Sequence, residues 1–336
     1  MKLADGAVAP RRDTPIAPPR FSRNIRASRE VGLLVVLAAT AAVLTLLHPD
    51  FLQRSNLISI GTGMIYDLPL AAGMTLVLIV GAIDLSVGAV LALSGVVITL
   101  MLRSGWPMAL AVASGVLLAA GIGALNGLLI TRFRLPAFIV TLGTMSIARG
   151  AAVVLTSGYM VSGLPSGYVA FGRATWLDLP VPMWALLVLL GAGQLLLSRW
   201  QPLHDVFYVG HNREAARLCG LPVTRLTVAA FVVSGVCAAV AAIFMTSRMG
   251  MGYARFGELA ELRAIAAAVL GGASFTGGSG SVTGAALGVL LLAVILNGFV
   301  LLNLSIYWQS LATGLILIVA VATDTLRRGR YAGETA

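Results

Sequence analysis

Lysine is almost absent from this chain, and its scarcity excludes several kinds of function. Lys2 is the only lysine among 336 residues. A phosphate-binding loop of the form G-x-x-x-x-G-K-[ST] needs its lysine to reach the phosphates of a nucleotide, so the sequence contains no such loop. The body of the chain also offers no lysine for a Schiff base. We therefore expect the chain to have no nucleotide-hydrolysing site of its own.

Cysteine and histidine are equally scarce. Cys219 and Cys237 are the only cysteines, which indicates neither a disulfide framework nor a cysteine zinc site. The three histidines, His48, His204 and His211, do not pair at metal-ligand spacing, and no G-x-S-x-G nucleophile motif is present. We predict no metal site, no cofactor and no enzymatic activity.

Charged residues are also scarce. Only 11% of the residues are charged and 58% are hydrophobic, with a mean hydropathy of +0.94, whereas a soluble domain carries about 25% charged residues. Apolar runs of roughly the length that an α-helix needs to cross a bilayer recur along the chain, and the short alternating strands of a membrane barrel do not. The sequence therefore predicts an all-α, polytopic membrane protein.

We predict about ten transmembrane helices. The hydrophobic segments cover residues 31–47, 57–81, 85–102, 107–130, 136–156, 183–198, 226–246, 263–270, 282–300 and 306–325. The eighth is too short to cross alone, and with the glycine-rich stretch after it we expect a broken segment near 263–281. A proline is expected to interrupt the second span at Asp67-Leu68-Pro69. Residues 1–30 read as a disordered tail, residues 31–328 as the membrane domain and residues 329–336 as a C-terminal tail.

The distribution of arginine and lysine predicts the orientation. Of the 23 basic residues, 16 fall in the tails and in the loops that we place inside, 6 fall in outer loops, and Arg149 lies within a span. Because basic residues favour the cytoplasmic side, both termini are predicted to be cytoplasmic. The net charge of +10 therefore reflects membrane orientation, and we expect lipid rather than nucleic acid as its partner.

One polar segment, residues 199–225, stands out between the apolar spans. It contains a predicted helix from Arg213 to Cys219, with Asn212 as N-cap and Gly220 as the residue that closes it. Glu214 in the first turn and Arg217 in the last are favourable for the helix dipole. So short a helix is marginal in water, and we expect it to rest against another surface. The segment is either a cytoplasmic linker or a docking site for a second protein, where Ala215 and Ala216 permit close approach.

Polar residues within the spans are the candidates for a transport path. Asp67 and Arg149 have similar expected depths, and our hypothesis is that they form an ion pair; the alternative is that each faces water separately. Asp84 is expected near the inner face, where it either caps the next helix or contributes to the path. From polarity and depth we assign to the solute path Asp84, Ser86, Asn126, Thr141, Thr144, Asn297 and Gln309. The two asparagines are equally suited to interhelical hydrogen bonds, and Gln309 belongs to a group of possible interfacial anchors.

Small residues predict two close helix contacts. Gly123 and Gly127 form one G-x-x-x-G pair, and Gly284 and Gly288 form another. This spacing lets two helix backbones approach closely in a membrane.

Four blocks of sequence together resemble one family. They are GMTLVLIVGAIDLSVGAVLAL (73–93), LPAFIVTLGTMSIARG (135–150), VGHNREAARLCGL (209–221) and LRAIAAAVLGGASFTGGSGSVTGAALG (262–288). The chain resembles the permease subunits of bacterial ribose/arabinose/galactose-type ABC importers from about residue 31 to residue 328. It departs from the usual pattern at Cys219, where a serine is usual, at Ala82, where a glycine is usual, and at His204-Asp205, where Gly-Arg is common.

The resemblance implies a multi-pass protein of the bacterial inner membrane that carries a monosaccharide or related polyol by alternating access. A separate cytoplasmic ATPase would bind ATP, a periplasmic sugar-binding protein would deliver the solute, and a second permease subunit would complete the pore. The polar segment would then be the ATPase-coupling loop, and its matching positions are Gly210, Asn212, Glu214, Ala215, Ala216 and Gly220. The alternative is a secondary transporter that couples to ions through Asp67, Asp84 and Arg149.

Overall fold

A computed structural model describes residues 20–333, and residues 1–19 and 334–336 lie outside the described part. The chain is built almost entirely of helices. They are α1 (Arg20–Leu47), a 3₁₀ turn (Pro49–Leu52), α2 (Arg54–Ile79), α3 (Val87–Arg103), α4 (Met108–Arg132), α5 (Ala137–Thr156), α6 (Ser166–Arg173), α7 (Val181–Arg199), α8 (Gln201–His211), α9 (Arg213–Leu218), α10 (Val223–Met249), α11 (Ala260–Leu270), α12 (Val282–Leu301) and α13 (Ile306–Gly333). A two-stranded antiparallel hairpin, β1 (Thr175–Trp176) and β2 (Leu179–Pro180), precedes α7.

The predicted all-α membrane fold is confirmed. Within residues 20–333, eight helices are long and apolar enough to cross a bilayer, and the shorter apolar helix α3 has 17 residues. The eighth predicted segment is the 11-residue helix α11, so the ten hydrophobic segments correspond to ten helices. Helix α1 begins at Arg20, inside the segment predicted as a tail, and residues 1–19 of that segment lie outside the described part.

Pro69 does not break the second span. Helix α2 runs without interruption from Arg54 to Ile79 and contains Pro69 in its interior. A proline in a helix lacks one backbone donor, but packed neighbours make this tolerable in a membrane helix. Leu68 and Leu70 on either side are fully buried, so the surrounding helices hold the backbone in place.

Helix α10 is the central element of the bundle and packs against α2, α3 and α4. Its buried face is rich in alanine, including Ala238, Ala241 and Ala242, which lets neighbouring backbones come close. A Cβ atom at Gly123 would overlap the Phe231 carbonyl oxygen of α10. The predicted close contact at the Gly123/Gly127 pair is thereby confirmed, with α10 as the partner.

The second glycine pair, Gly284 and Gly288 of α12, packs against α11. A Cβ atom at Gly288 would overlap the Ala267 carbonyl oxygen, and one at Gly284 would overlap the Gly271 carbonyl oxygen. Residues 271–281 between the two helices are irregular, as are most residues of the segment 250–259 that leads into α11. The broken segment predicted near 263–281 is therefore a short helix with irregular backbone on both sides.

Candidate functional site

The polar segment forms two helices at one end of the bundle. The predicted cap of α9 is present, because the Asn212 Oδ1 accepts hydrogen bonds from the backbone N–H groups of Glu214 and Ala215, each at 3.0 Å. Gly220 has a φ of 80°, and the Leu221 N–H donates to the Ala216 carbonyl oxygen at 3.0 Å. The left-handed closure expected of Gly220 is therefore observed, and α9 ends at Leu218, one residue earlier than predicted.

Helix α8 was not predicted. It is amphipathic: Val206 and Val209 are buried while Tyr208 is 54% exposed. Trp200-Gln201-Pro202 at its start is a recognisable helix beginning, since proline is favoured in the first turn. This signal was present in the sequence.

Helix α9 has one buried face and one free face. Ala216 is buried in an apolar cluster with Val209 and Leu226, so it anchors α9 to the protein's own core. Glu214 and Ala215 are exposed, and Leu218 is 84% exposed. Of the two alanines expected to permit close approach of a partner, Ala215 is exposed and Ala216 faces inward.

Gly210 fixes α8 to the transmembrane core. A Cβ atom there would overlap the Ile79 carbonyl oxygen and lie 2.6 Å from the Gly278 nitrogen. The Gly278 N–H in turn donates to the Ile79 carbonyl oxygen at 2.8 Å. The end of α2, the glycine-rich segment 271–281 and α8 thus meet at one point.

Five of the seven residues assigned to the solute path lie close together. The Asp84 carboxylate accepts hydrogen bonds from the Ser86 hydroxyl at 2.6 Å and the Ser234 hydroxyl at 3.0 Å. The Asn126 side chain donates to the Ser86 hydroxyl at 3.1 Å and accepts from the Thr144 hydroxyl at 2.6 Å. We call this chain of side chains the Asp84 network.

Thr141 lies beside this network, and its hydroxyl donates to the Ile83 carbonyl oxygen at 3.3 Å. Asp84, Ser86, Asn126 and Thr141 are all at most 2% exposed. Thr141 bonds backbone carbonyl oxygens, while Asp84, Ser86 and Asn126 bond one another and the hydroxyls of Ser234 and Thr144, so the Asp84 network joins helices. The first of the two roles considered for Asp84, capping of the next helix, agrees with the structure. Its carboxylate accepts a hydrogen bond from the Ser86 backbone N–H at 3.0 Å, immediately before α3.

The depth expected for Asp84 is wrong. Its partner Ser234 lies eleven residues into α10 from Val223, about 16 Å at 1.5 Å per residue. The chain turns at Gly81 and runs back into the bundle before α3 begins, so Asp84 lies well inside the protein.

The other two assigned residues do not join the Asp84 network. Asn297 and Asn56 exchange side-chain hydrogen bonds of 2.7 and 3.0 Å between α12 and α2, so Asn297 serves as an interhelical link, one of the two roles for which asparagine is suited in a membrane helix. Gln309 lies in α13 and is partly buried.

The predicted Asp67–Arg149 pair is not formed. Asp67 instead pairs with Arg263 of α11, whose Nε and Nη2 both donate to the carboxylate at 3.1 to 3.2 Å. Arg149 does lie deep in the bundle, twelve residues from the start of α5. However, α5 packs against α3 and α4 while α2 packs against α11, and equal depth does not bring two residues together laterally.

Arg149 supports the irregular segment before α11. Its Nη1 donates to the carbonyl oxygens of Ala254 and Phe256, both at 2.7 Å. Irregular backbone within a membrane needs partners for its polar groups, and the guanidinium supplies them here. Sequence reasoning missed three hydrogen-bond partners of the assigned residues, namely Arg263, Ser234 and Asn56. Arg263 could have been identified, because its charge stands directly beside the apolar run AIAAAVL.

Fold and site together describe a polytopic helical membrane protein with two polar helices packed at one end. A family model described as "branched-chain amino acid transport system / permease component" matches residues 55–321. The chain belongs to this permease family.

Permeases of similar sequence agree with this family assignment. The chain is 36% identical to the ribose import permease protein RbsC of Bacillus subtilis, over 88% of this chain and 92% of that protein. It is 36% identical to the L-arabinose transport system permease protein AraH of Escherichia coli, over 89% and 91%, and 33% identical to the autoinducer 2 import system permease protein LsrC of Photorhabdus laumondii, over 89% and 90%. No solved structure matches the chain.

These findings confirm the predicted class, a multi-pass inner-membrane permease related to ABC importer subunits. They do not favour the ion-coupled alternative. Its three charged residues also lie in separate environments: Asp67 pairs with Arg263, Asp84 is bonded within its network, and Arg149 binds backbone carbonyls.

Proposed function

We propose that this chain is the membrane subunit of an ATP-driven importer for a monosaccharide or a related polyol. A separate cytoplasmic ATPase would supply the energy, a periplasmic sugar-binding protein would deliver the solute, and a second permease subunit would complete the pore. The relatives that import ribose, arabinose and autoinducer 2 support this solute class. Both termini and the α8–α9 end would face the cytoplasm, as the arginine distribution favours.

One observation carries the proposal: α9 is an exposed, fully capped helix that is tied to the transmembrane core at two points. Asn212 caps its beginning, Ala216 anchors it in the core and Gly210 holds α8 against the end of α2. A short exposed helix that served only as a linker would not need such rigid attachment. A partner that pushed on Glu214 and Leu218 would move α2 and the glycine-rich segment together, and this movement would drive alternating access.

Charge reversal at Glu214 tests the proposal in the complete importer, expressed with its ATPase and binding protein. Like-charge contacts across an interface cost several kcal/mol, so we expect Glu214→Arg to lower ATP-dependent sugar uptake at least about tenfold while membrane insertion stays unchanged. Asp50→Arg, at the opposite end of the bundle, is the matched control. Unchanged uptake with Glu214→Arg would contradict the role assigned to α9.

A further inference from the structure

A cavity of about 770 Å³ lies between α5 and the irregular segment that leads into α11. Its charged and polar lining comes from Ser146 and Arg149 of α5 and from Arg255, Glu258 and Glu261. This volume is in the range of small-molecule sites, where a few polar groups converge in an otherwise apolar pocket. We propose that this cavity is the binding site for a neutral polyhydroxylated solute on its way through the permease.

The backbone beside the cavity is irregular. Helix α10, a full-length span of 27 residues, ends at Met249, and the separate short helix α11 begins only at Ala260. In membrane proteins, irregular backbone is tolerated where it lies inside the protein or lines a water-filled cavity. The segment 250–259 between the two helices is therefore suited to line such a cavity.

Glu261 forms the wall of the cavity next to α3. It lines the cavity and is only 9% exposed. A Cβ atom at Gly88 would lie 2.6 Å from its Oε2, so the glycine leaves space for the carboxylate. The Oε2 is closed to solvent and has no hydrogen-bond partner among the described residues, so we assign no solute contact to this oxygen.

Arg149 supplies donors on the other side of the cavity. Within the described residues both of its hydrogen bonds are made by Nη1, which leaves Nη2 and Nε to donate to solute oxygens. A guanidinium carries five N–H donors in a fixed plane, so the same side chain holds the backbone and faces the cavity.

The charges of the lining cancel, which favours a neutral solute. Two arginines, Arg149 and Arg255, stand against two glutamates, Glu258 and Glu261, and Arg255 already donates to Glu258 at 2.7 Å. A site for an anion or a cation would carry an excess of the opposite charge. Acceptors and donors in equal supply match hydroxyl groups, each of which donates one hydrogen bond and accepts others.

The Asp84 network does not compete for this role. Asp84, Ser86 and Asn126 are hydrogen-bonded within the network and buried, whereas Ser146 and Arg149 line an open cavity. The inference therefore moves the solute contacts from Asp84, Ser86 and Asn126 to Ser146 and Arg149.

This inference rests on the proposed function, so the first experiment tests whether the importer takes up sugars. Uptake of radiolabelled D-ribose, L-arabinose, D-xylose, D-galactose, L-rhamnose and myo-inositol is measured with the complete importer in membrane vesicles, with and without ATP. If none of the six enters in an ATP-dependent manner, the proposed function fails and this inference fails with it. Otherwise the best-transported sugar serves as the probe sugar for the labelling experiment.

Cysteine labelling then tests the cavity itself. The background is Cys219→Ser, since Cys219 is exposed and Cys237 is buried, and its uptake is measured first. We expect Ser146→Cys to react with a charged, water-soluble thiol reagent. Saturating probe sugar should slow the reaction by about threefold or more, as mass action requires when most sites are filled. Ile147→Cys, 74% exposed on the same helix but outside the cavity, should show no protection. A Ser146→Cys that does not react, or reacts equally with sugar present, overturns the site.

Discussion

The Asp67 carboxylate and the Arg263 guanidinium form a two-pronged ion pair across 196 residues of sequence, with N–O distances of 3.1 to 3.2 Å. The two side chains are only 22% and 26% exposed. The pair connects the middle of the long helix α2 to the first turn of the short helix α11. It therefore holds the short helix α11, which follows the irregular segment 250–259, against α2.

Breaking this ion pair should destabilise the protein. Removing one partner of a buried pair costs about 3–5 kcal/mol, compared with up to about 1 kcal/mol for an exposed pair, and these side chains are mostly buried. We expect Asp67→Asn and Arg263→Gln each to lower the thermal unfolding midpoint in detergent and to reduce uptake. The exchange Asp67→Arg with Arg263→Asp should recover part of the loss. The exchange Asp67→Arg with Arg149→Asp serves as control, and recovery there instead would contradict the observed pairing.

Asn126 joins the two halves of the Asp84 network, so we expect Asn126→Ala to lower stability more than it changes solute preference. It removes the acceptor of the Thr144 hydroxyl and one of the two hydrogen bonds of the Ser86 hydroxyl, which still donates to Asp84, and a buried polar group left unpaired costs about 1–3 kcal/mol. The measurement is the thermal unfolding midpoint together with the relative uptake of two sugars. Ser59→Ala, an exposed helix position, is the control. A changed sugar ratio with unaltered stability would assign Asn126 to the solute path after all.

Gly210→Ala should uncouple transport from ATP hydrolysis without preventing insertion. The added methyl group would overlap the Ile79 carbonyl oxygen, so α8 must move away from α2. We expect ATP hydrolysis by the complete importer to persist while uptake per ATP falls severalfold. Gly191→Ala in α7 is the matched control, because nothing lies within 4 Å of its Cβ position. Equal uptake by both variants would show that the close contact at Gly210 is not needed.

Local features of the fold could be read directly from the sequence. The ten apolar segments, the Asn212 cap and the Gly220 closure depend on residues near in sequence, and each is present in the structure. The glycine pair Gly123/Gly127 also predicted a close contact, although not its partner. Each of these rests on periodicity or on local hydrogen bonds, whose physics a short window of sequence contains.

Pairings between distant segments could not be read in this way. Depth along a helix predicted that Asp67 and Arg149 lie at similar levels, but the lateral order of the helices placed Arg263 beside Asp67. Asp84 was assigned to the inner face because its loop was expected to turn there, and the chain instead turns back to Ser234. Which helix neighbours which is set by packing of the whole bundle, and no local pattern encodes it.

The contact between α11 and α12 gives a final prediction in which two glycine substitutions act in opposite directions. Replacing glycine by alanine in a helix gains up to about 1 kcal/mol from the backbone, whereas overpacking a tight contact costs about 1–3 kcal/mol. At Gly288 a Cβ atom would overlap the Ala267 carbonyl oxygen, and at Gly314 in α13 nothing lies within 4 Å. We therefore expect Gly288→Ala to lower the thermal unfolding midpoint and Gly314→Ala to leave it equal or slightly raised.

Because Ala267 lies one turn beyond Arg263 on α11, Gly288→Ala should also weaken the Asp67–Arg263 pair. Combining it with Asp67→Asn should then cost less than the sum of the two changes. Strict additivity would show that the close helix contact and the ion pair hold α11 independently.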